Sequence, residues 1–172
     1  RLGRHVEAEA SLRAAVRLSE AYPVIPRFMQ DLFPRESGGL YEFNETHQLF
    51  GTVLTWGEQP PPDDAFAPDE CWWTRRARLH EIDTPDSEMI CQHLRPPVFP
   101  GSLCIPLMAR GKILGLLHLR GIPGSEEAEG QAGALGEYRR RLAKTVAQQI
   151  SSALFDLRLQ ETLREQASRD VR

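Results

Sequence analysis

The chain has 172 residues and a formal net charge of −3, the size of about one domain with no electrostatic reason to expect a nucleic-acid partner. No apolar run approaches the roughly 18 residues of a membrane-spanning helix and no signal peptide opens the sequence, so no membrane insertion and a cytoplasmic location are expected. Cys71, Cys91 and Cys104 form an odd set without a CxxC pair, which argues against a disulfide framework and fits reduced thiols.

The first 18 residues carry Leu2, Val6, Leu12 and Val16 at helical spacing among charged residues and predict an amphipathic helix. Ser19 is placed to cap a second helix through Val24, Ile25, Phe28, Leu32 and Phe33, stopped at Pro34. Pro23 suits a first turn, but Pro26 demands a late start or a kink. From Gly38 to Trp56 the pattern predicts a hairpin turning at Asn44-Glu45-Thr46-His47, with His47 exposed. Gly57 to Pro68 holds four prolines and reads as a loop long enough to rim a pocket. Pro68 then opens a short helix, with Asp69 and Glu70 complementing its dipole; it continues as CWWTRRAR, with Cys71, Arg75 and Arg78 on one face. Leu79 to Asp83 reads as a short strand, and Thr84 to Pro100 as irregular.

The chain is organised around Ser102 to Arg120, SLCIPLMARGKILGLLHLR, two apolar runs folded back at Arg110, Gly111 and Lys112. Strands apolar on both sides belong in the middle of a sheet covered on both faces. A regular two-residue turn, at Arg110-Gly111 or Gly111-Lys112, would pair odd residues of the first strand with even residues of the second. Cys104, Leu117 and Leu119 would then share one face, and Ile105, Leu107 and His118 the other. On that register Cys104 and His118 do not meet, and His118 is a hydrogen-bonded core histidine. Ile122 to Gly133 is a Gly- and Glu-rich loop. One long helix closes the chain, from about Gly136 to Ala167, with Leu135, Leu142, Val146, Ile150, Ala153 and Leu157 as its stripe. Beyond it Leu159 and Leu163 lie on another side, which suggests packing on the sheet followed by pairing with a second helix.

Terminal amphipathic helices, a hairpin, a variable middle and the closing pair SLCIPLMARGKILGLLHL resemble the GAF domain, a sensory module of signalling proteins. The stretch Cys71, Trp72, Arg75, Arg76, Arg78, His80, then Cys91 and His93, is similar to the subgroup found before GGDEF (diguanylate cyclase) domains. LAKTVAQQISSALFDLRLQETLREQASRD resembles the connector to such a domain. The resemblance implies an α+β fold: a six-stranded antiparallel sheet, terminal helices on one face, and on the other a ligand pocket roofed by the proline-rich loop. It implies residues 1–18 as a signalling and dimerisation helix, 19–157 as the sensory domain and 158–172 as a connector to an output domain. It also implies a homodimer joined through the terminal helices, in a sensory rather than catalytic role.

The ligand site expected on this basis is lined by Trp72, Arg75, Arg76, His80, Cys91 and His93, with Cys71, Trp73 and Cys104 as further pocket residues. Arginine offers bidentate hydrogen bonding to a carboxylate or phosphate, and tryptophan excludes water, so a small polar or anionic ligand is expected. Cys71, His80, Cys91 and His93 are residue types that hold zinc, but their spacing matches no common finger, and the expectation is no bound metal. Two further readings follow from the thiols. Free methionine sulfoxide reductases of this fold use three cysteines, but the spacing here and the lack of their Cys-Gly-Thr-type sequence argue against one. Bilin-binding members join the chromophore to a cysteine followed directly by histidine, whereas Gln92 separates Cys91 from His93.

Overall fold

The computed structural model describes residues 7, 11–12, 17–62, 64–71, 80–82, 91–94, 101–120 and 134–171. Most of the first expected helix lies outside them, as do Trp72, Trp73, Arg75, Arg76 and Arg78, residues 83–90 and the expected loop from Ile122 to Gly133. Helix α1 (Leu18–Ala21) is one turn, and α2 (Val24–Leu32) starts with Pro23 as its N-cap. Pro26 thus occupies the first turn of α2, where its missing N–H has no partner to lose. This is the late start that the two prolines require.

Six antiparallel strands follow among the described residues: β1 (Ser37–Asn44), β2 (Leu49–Trp56), β3 (Ala65–Phe66), β4 (His80–Ile82), β5 (Ser102–Ala109) and β6 (Lys112–Arg120). They form one sheet in the order β3-β2-β1-β6-β5-β4. In the β1–β2 turn the Asn44 Oδ1 accepts the His47 N–H at 3.1 Å, and His47 is exposed. The proline-rich segment is not loop throughout. Ala65 and Phe66 pair with Gly51 and Phe50, because the Thr52 hydroxyl both donates to the Asp64 carbonyl and accepts its N–H, at 3.0 and 3.1 Å.

The register expected for the central hairpin is corrected by one residue. Its loop is Arg110-Gly111, both with positive φ (50° and 74°), and Ala109 pairs with Lys112. Such a turn needs two left-handed residues. Arg110 tolerates the position while its guanidinium lies 5.0 Å over the Phe155 ring. Met108 pairs with Ile113, but Leu107 pairs with Gly115, so Leu114 is an extra residue. That bulge shifts every later pair by one. Leu103 faces Leu119, Ile105 faces Leu117, and Cys104 faces His118.

The sheet is buried on both sides, as its doubly apolar strands require. One face presents Leu40, Leu103, Ile105, Leu107, Leu117 and Leu119 to Ile25, Phe28 and Met29 of α2 and to the last helix, α3 (Ala134–Asp170). That helix contributes Ala143, Val146, Ile150, Leu154 and Leu157, close to its expected stripe. Arg139 ties its first part down, with Nε donating to Glu36 Oε1 at 3.0 Å and Nη1 to the Gly101 carbonyl at 2.7 Å. The opposite face carries Tyr41, Phe50, Phe66, Cys71, Cys91, Cys104 and Leu116. No helix among the described residues is long and apolar enough to cross a membrane.

Candidate functional site

All three cysteines lie on the face opposite the helices, and each arrives from a different element. Pro68–Glu70 forms a single 3-10 turn, closed by the Ala67 N–H donating to Glu70 Oε2 at 2.6 Å. Cys71 follows it in extended backbone rather than within a helix, which corrects the expected helical start of CWWTRRAR. Cys91 and His93 occupy a turn, not a strand, in which the Leu94 N–H donates to the Cys91 carbonyl at 3.1 Å. The His93 N–H reaches the Glu70 carbonyl at 3.4 Å, so the two turns are joined through backbone. Cys104 comes from β5, directly opposite His118.

The result is a compact group. The ligand-type atoms of Cys71, Cys91, His93 and Cys104 all lie within 4.8 Å of one another. Cys71 Sγ and Cys91 Sγ are 3.8 Å apart, and Cys104 Sγ is 3.6 Å from His93 Nε2. None of the cysteines is in a disulfide, and all are buried. The Cys71 and Cys91 sulfurs, and then burial, push the Cys104 thiol well above its usual range. The His93 ring stacks on Phe66 at 4.2 Å and 11°.

His118 was expected as a hydrogen-bonded core residue, and it is one, with 2% of its surface exposed. Its meeting with Cys104, at 3.6 Å from Nδ1 to Sγ, corrects the expectation that the two would lie apart. The bulge at Leu114 is the reason. Nδ1 also lies 3.0 Å from the Leu103 carbonyl oxygen. A carbonyl only accepts, so Nδ1 carries the proton. Burial, then the neighbouring His93, lower the pKa of His118 to about 3. The unfolded chain therefore takes up a proton below about pH 6.5 that the folded chain refuses until about pH 3. The stability associated with neutral His118 is complete above pH 6.5 and declines as the pH falls, by up to ~1.4 kcal/mol per pH unit. Urea denaturation at about pH 7 and pH 5 tests this: His118→Gln is expected to show a shallower loss than the wild type.

Above this group a small cleft, with a cavity volume of about 30 Å³, opens to solvent. Phe66, Tyr41 and the rings of His93 and His118 line it, with Pro61 and Pro62 as part of its rim. Asp64, Ser102 and Arg120 add polar groups, and Arg120 Nη1 donates to the Gln59 carbonyl at 3.0 Å. Of the expected site residues, His93 reaches this cleft, while Cys71, Cys91 and Cys104 pack in the apolar cluster on the same face. His80 is placed by its backbone alone, paired with Cys104. Trp72, Trp73, Arg75 and Arg76 lie outside the described residues. Sequence reasoning missed Tyr41, Ser102 and Arg120, whose only signal was alternation along strands read as core.

An antiparallel sheet with helices on one face and a cleft on the other defines an α+β module. The GAF domain family model matches residues 25–155, and the chain belongs to that family, a regulatory and sensory fold. The GAF domain of a phosphoenolpyruvate-protein phosphotransferase from Coxiella burnetii superposes with a TM-score of 0.69 at 16% identity, covering 94% of this chain and 96% of that one. The corresponding Acinetobacter domain gives 0.66 at 15% identity, covering 92% and 94%. Free methionine-R-sulfoxide reductase from Neisseria meningitidis, in complex with its substrate, gives 0.62 at 12% identity, covering 91% and 89%. No curated protein matches the sequence.

Proposed function

We propose that this chain is the regulatory sensory domain of a bacterial signal-transduction protein, binding a small polar or anionic ligand and controlling a C-terminal output domain. The observation that carries the reading is the cleft, where aromatic walls surround Ser102, His118 and the Arg120 guanidinium. Convergent polar groups in a mostly apolar concavity are what small-molecule recognition requires. Arg75 and Arg76, which the sequence resemblance also assigns to the ligand site, lie outside the described residues. The resemblance of the Cys71–His93 stretch and of the terminal connector supports a GGDEF diguanylate cyclase as the output.

Native mass spectrometry of the purified protein is expected to show a retained small-molecule adduct, and thermal-shift screening to find stabilisers among carboxylates and phosphates. Arg120→Ala is expected to weaken such a ligand about 10- to 100-fold, the value of one charge-assisted hydrogen bond. Absence of any adduct and of any stabilising anion would leave the cleft without this role.

A homodimer through the terminal helices belongs to the same reading. Leu159 and Leu163 of α3 are 44% and 55% exposed, and a parallel partner helix would cover them. A ligand that binds two helix registers with different affinity would shift the pair between them.

A thiol-based reductase is the second reading, favoured by the gathering of the three cysteines. Their burial and the raised thiol of Cys104 weigh against it, since a reactive thiol needs access and a lowered pKa.

A further inference from the structure

We propose that Cys71, Cys91, His93 and Cys104 together form a closed, structural zinc site beneath the cleft. The inference stands on geometry and donor chemistry, independently of which ligand the cleft takes. Zinc bonds of about 2.3 Å to sulfur and about 2.0 Å to nitrogen, arranged tetrahedrally, put two sulfurs about 3.8 Å apart and a sulfur and nitrogen about 3.5 Å apart. The Cys71–Cys91 separation is 3.8 Å and the Cys104–His93 separation is 3.6 Å. The remaining separations stay within 4.8 Å, so small side-chain movements complete the tetrahedron.

Packing alone does not explain the group. Buried cysteines serve well as small apolar residues, but the cluster also brings in an imidazole nitrogen, which an apolar core does not need. Three thiolates and one neutral histidine are a donor set that selects zinc among common divalent ions. With four protein donors no position remains for substrate, which makes the site structural rather than catalytic. His118 completes the surroundings: its Nδ1–H, already held by the Leu103 carbonyl, lies 3.6 Å from Cys104 Sγ. A donor beside a ligating thiolate offsets part of the charge that the cysteines bring.

The expectation of no metal rested on spacing along the chain, and on His80 as the fourth donor. Among the residues whose side chains are described, the fold supplies Cys104 as the fourth donor, from a strand that linear motifs do not count. The consequence is mechanical. The segment 72–90, which carries Trp72, Arg75 and Arg76, begins after one ligand and ends before another. A metal would fix both of its ends to β5, and through the stacked His93 and Phe66 rings it would support the floor of the cleft.

The test is elemental analysis of the protein purified without chelators or immobilised metal. One zinc per chain is expected, retained through dialysis and released when a chelator is added under unfolding conditions. Cys91→Ser and His93→Ala are each expected to lower zinc retention at least tenfold, while His47→Ala, in an exposed turn, keeps it. A ligand variant that fails to fold does not decide the matter, because the wild type carries a second measurement. Cobalt(II) added to reduced, metal-free protein should produce thiolate charge-transfer absorption and the intense visible bands of a tetrahedral site. Wild-type protein with no zinc and no such cobalt spectrum would overturn the proposal. So would purified protein with Cys71 and Cys91 joined in a disulfide, lighter by two hydrogens, which would point to redox chemistry instead.

Discussion

Gly115→Ala is expected to lower the melting temperature by roughly 6–12 °C, while Gly51→Ala leaves it nearly unchanged. The two glycines make a matched pair, since both sit opposite Glu42, one on each neighbour of β1. A Cβ on Gly51 meets nothing within 4 Å. One on Gly115 runs into the Tyr41 carbonyl oxygen, with the Tyr41 carbonyl carbon at 3.2 Å and Glu42 Cα at 3.4 Å. These are backbone atoms of a central strand, so no side chain can swing away to make room. Overpacking of this kind costs about 3 kcal/mol, or 2–4 °C per kcal/mol in a domain of this size. Thermal unfolding followed by circular dichroism distinguishes the two variants. Equal melting temperatures would mean that β1 and β6 are held less closely than described. The substitution also bears on the site, because Gly115 adjoins the bulge that brings Cys104 opposite His118.

Changing Leu159 and Leu163 together to Glu is expected to weaken self-association at least about 100-fold without loss of fold. Helix α3 runs 37 residues, about 55 Å, and its core-facing residues end at Leu157. Glu161 ties it to the body, its Oε1 accepting the Leu18 N–H at 3.3 Å. Residues 162–171 are exposed throughout. Burying a leucine contributes about 1.5–3 kcal/mol, and a symmetric pair loses four of them, so the factor given is a lower bound. Leu154 and Leu157 are unsuitable for this test. They are 2% and 3% exposed, and a charge there would break the core instead. Light scattering across a concentration series, with circular dichroism to confirm folding, checks the outcome. A wild type that stays monomeric at high concentration would remove the support for signalling through a helix pair.

Local patterning carried the elements because local chemistry forms them. Leu103, Ile105, Leu117 and Leu119 announced a doubly covered central hairpin, the prolines at 23 and 26 delayed α2, and the spacing from Leu142 to Leu157 gave α3 its buried face. The prolines at 60–62 were legible as a rim, since proline excludes a regular strand there, whereas the short β3 pairing at Ala65 and Phe66 was not legible. Sheet parity was not legible. One unpaired residue, Leu114, reverses which side chains share a face, and the close approach of Tyr41 to a side-chain-free Gly115 accompanies it. That approach involves residues more than 70 positions apart, beyond any window of local preference. The thiol and imidazole cluster was hidden for the same reason. Its donors come from the end of a 3-10 turn, a tight turn and a strand, and tertiary contacts such as the His93 N–H on the Glu70 carbonyl accompany their gathering within 4.8 Å. Residue types marked Cys71, Cys91 and His93 in advance. Cys104 was marked only as a further pocket residue, and tertiary structure set it among the other donors and brought His118 against it.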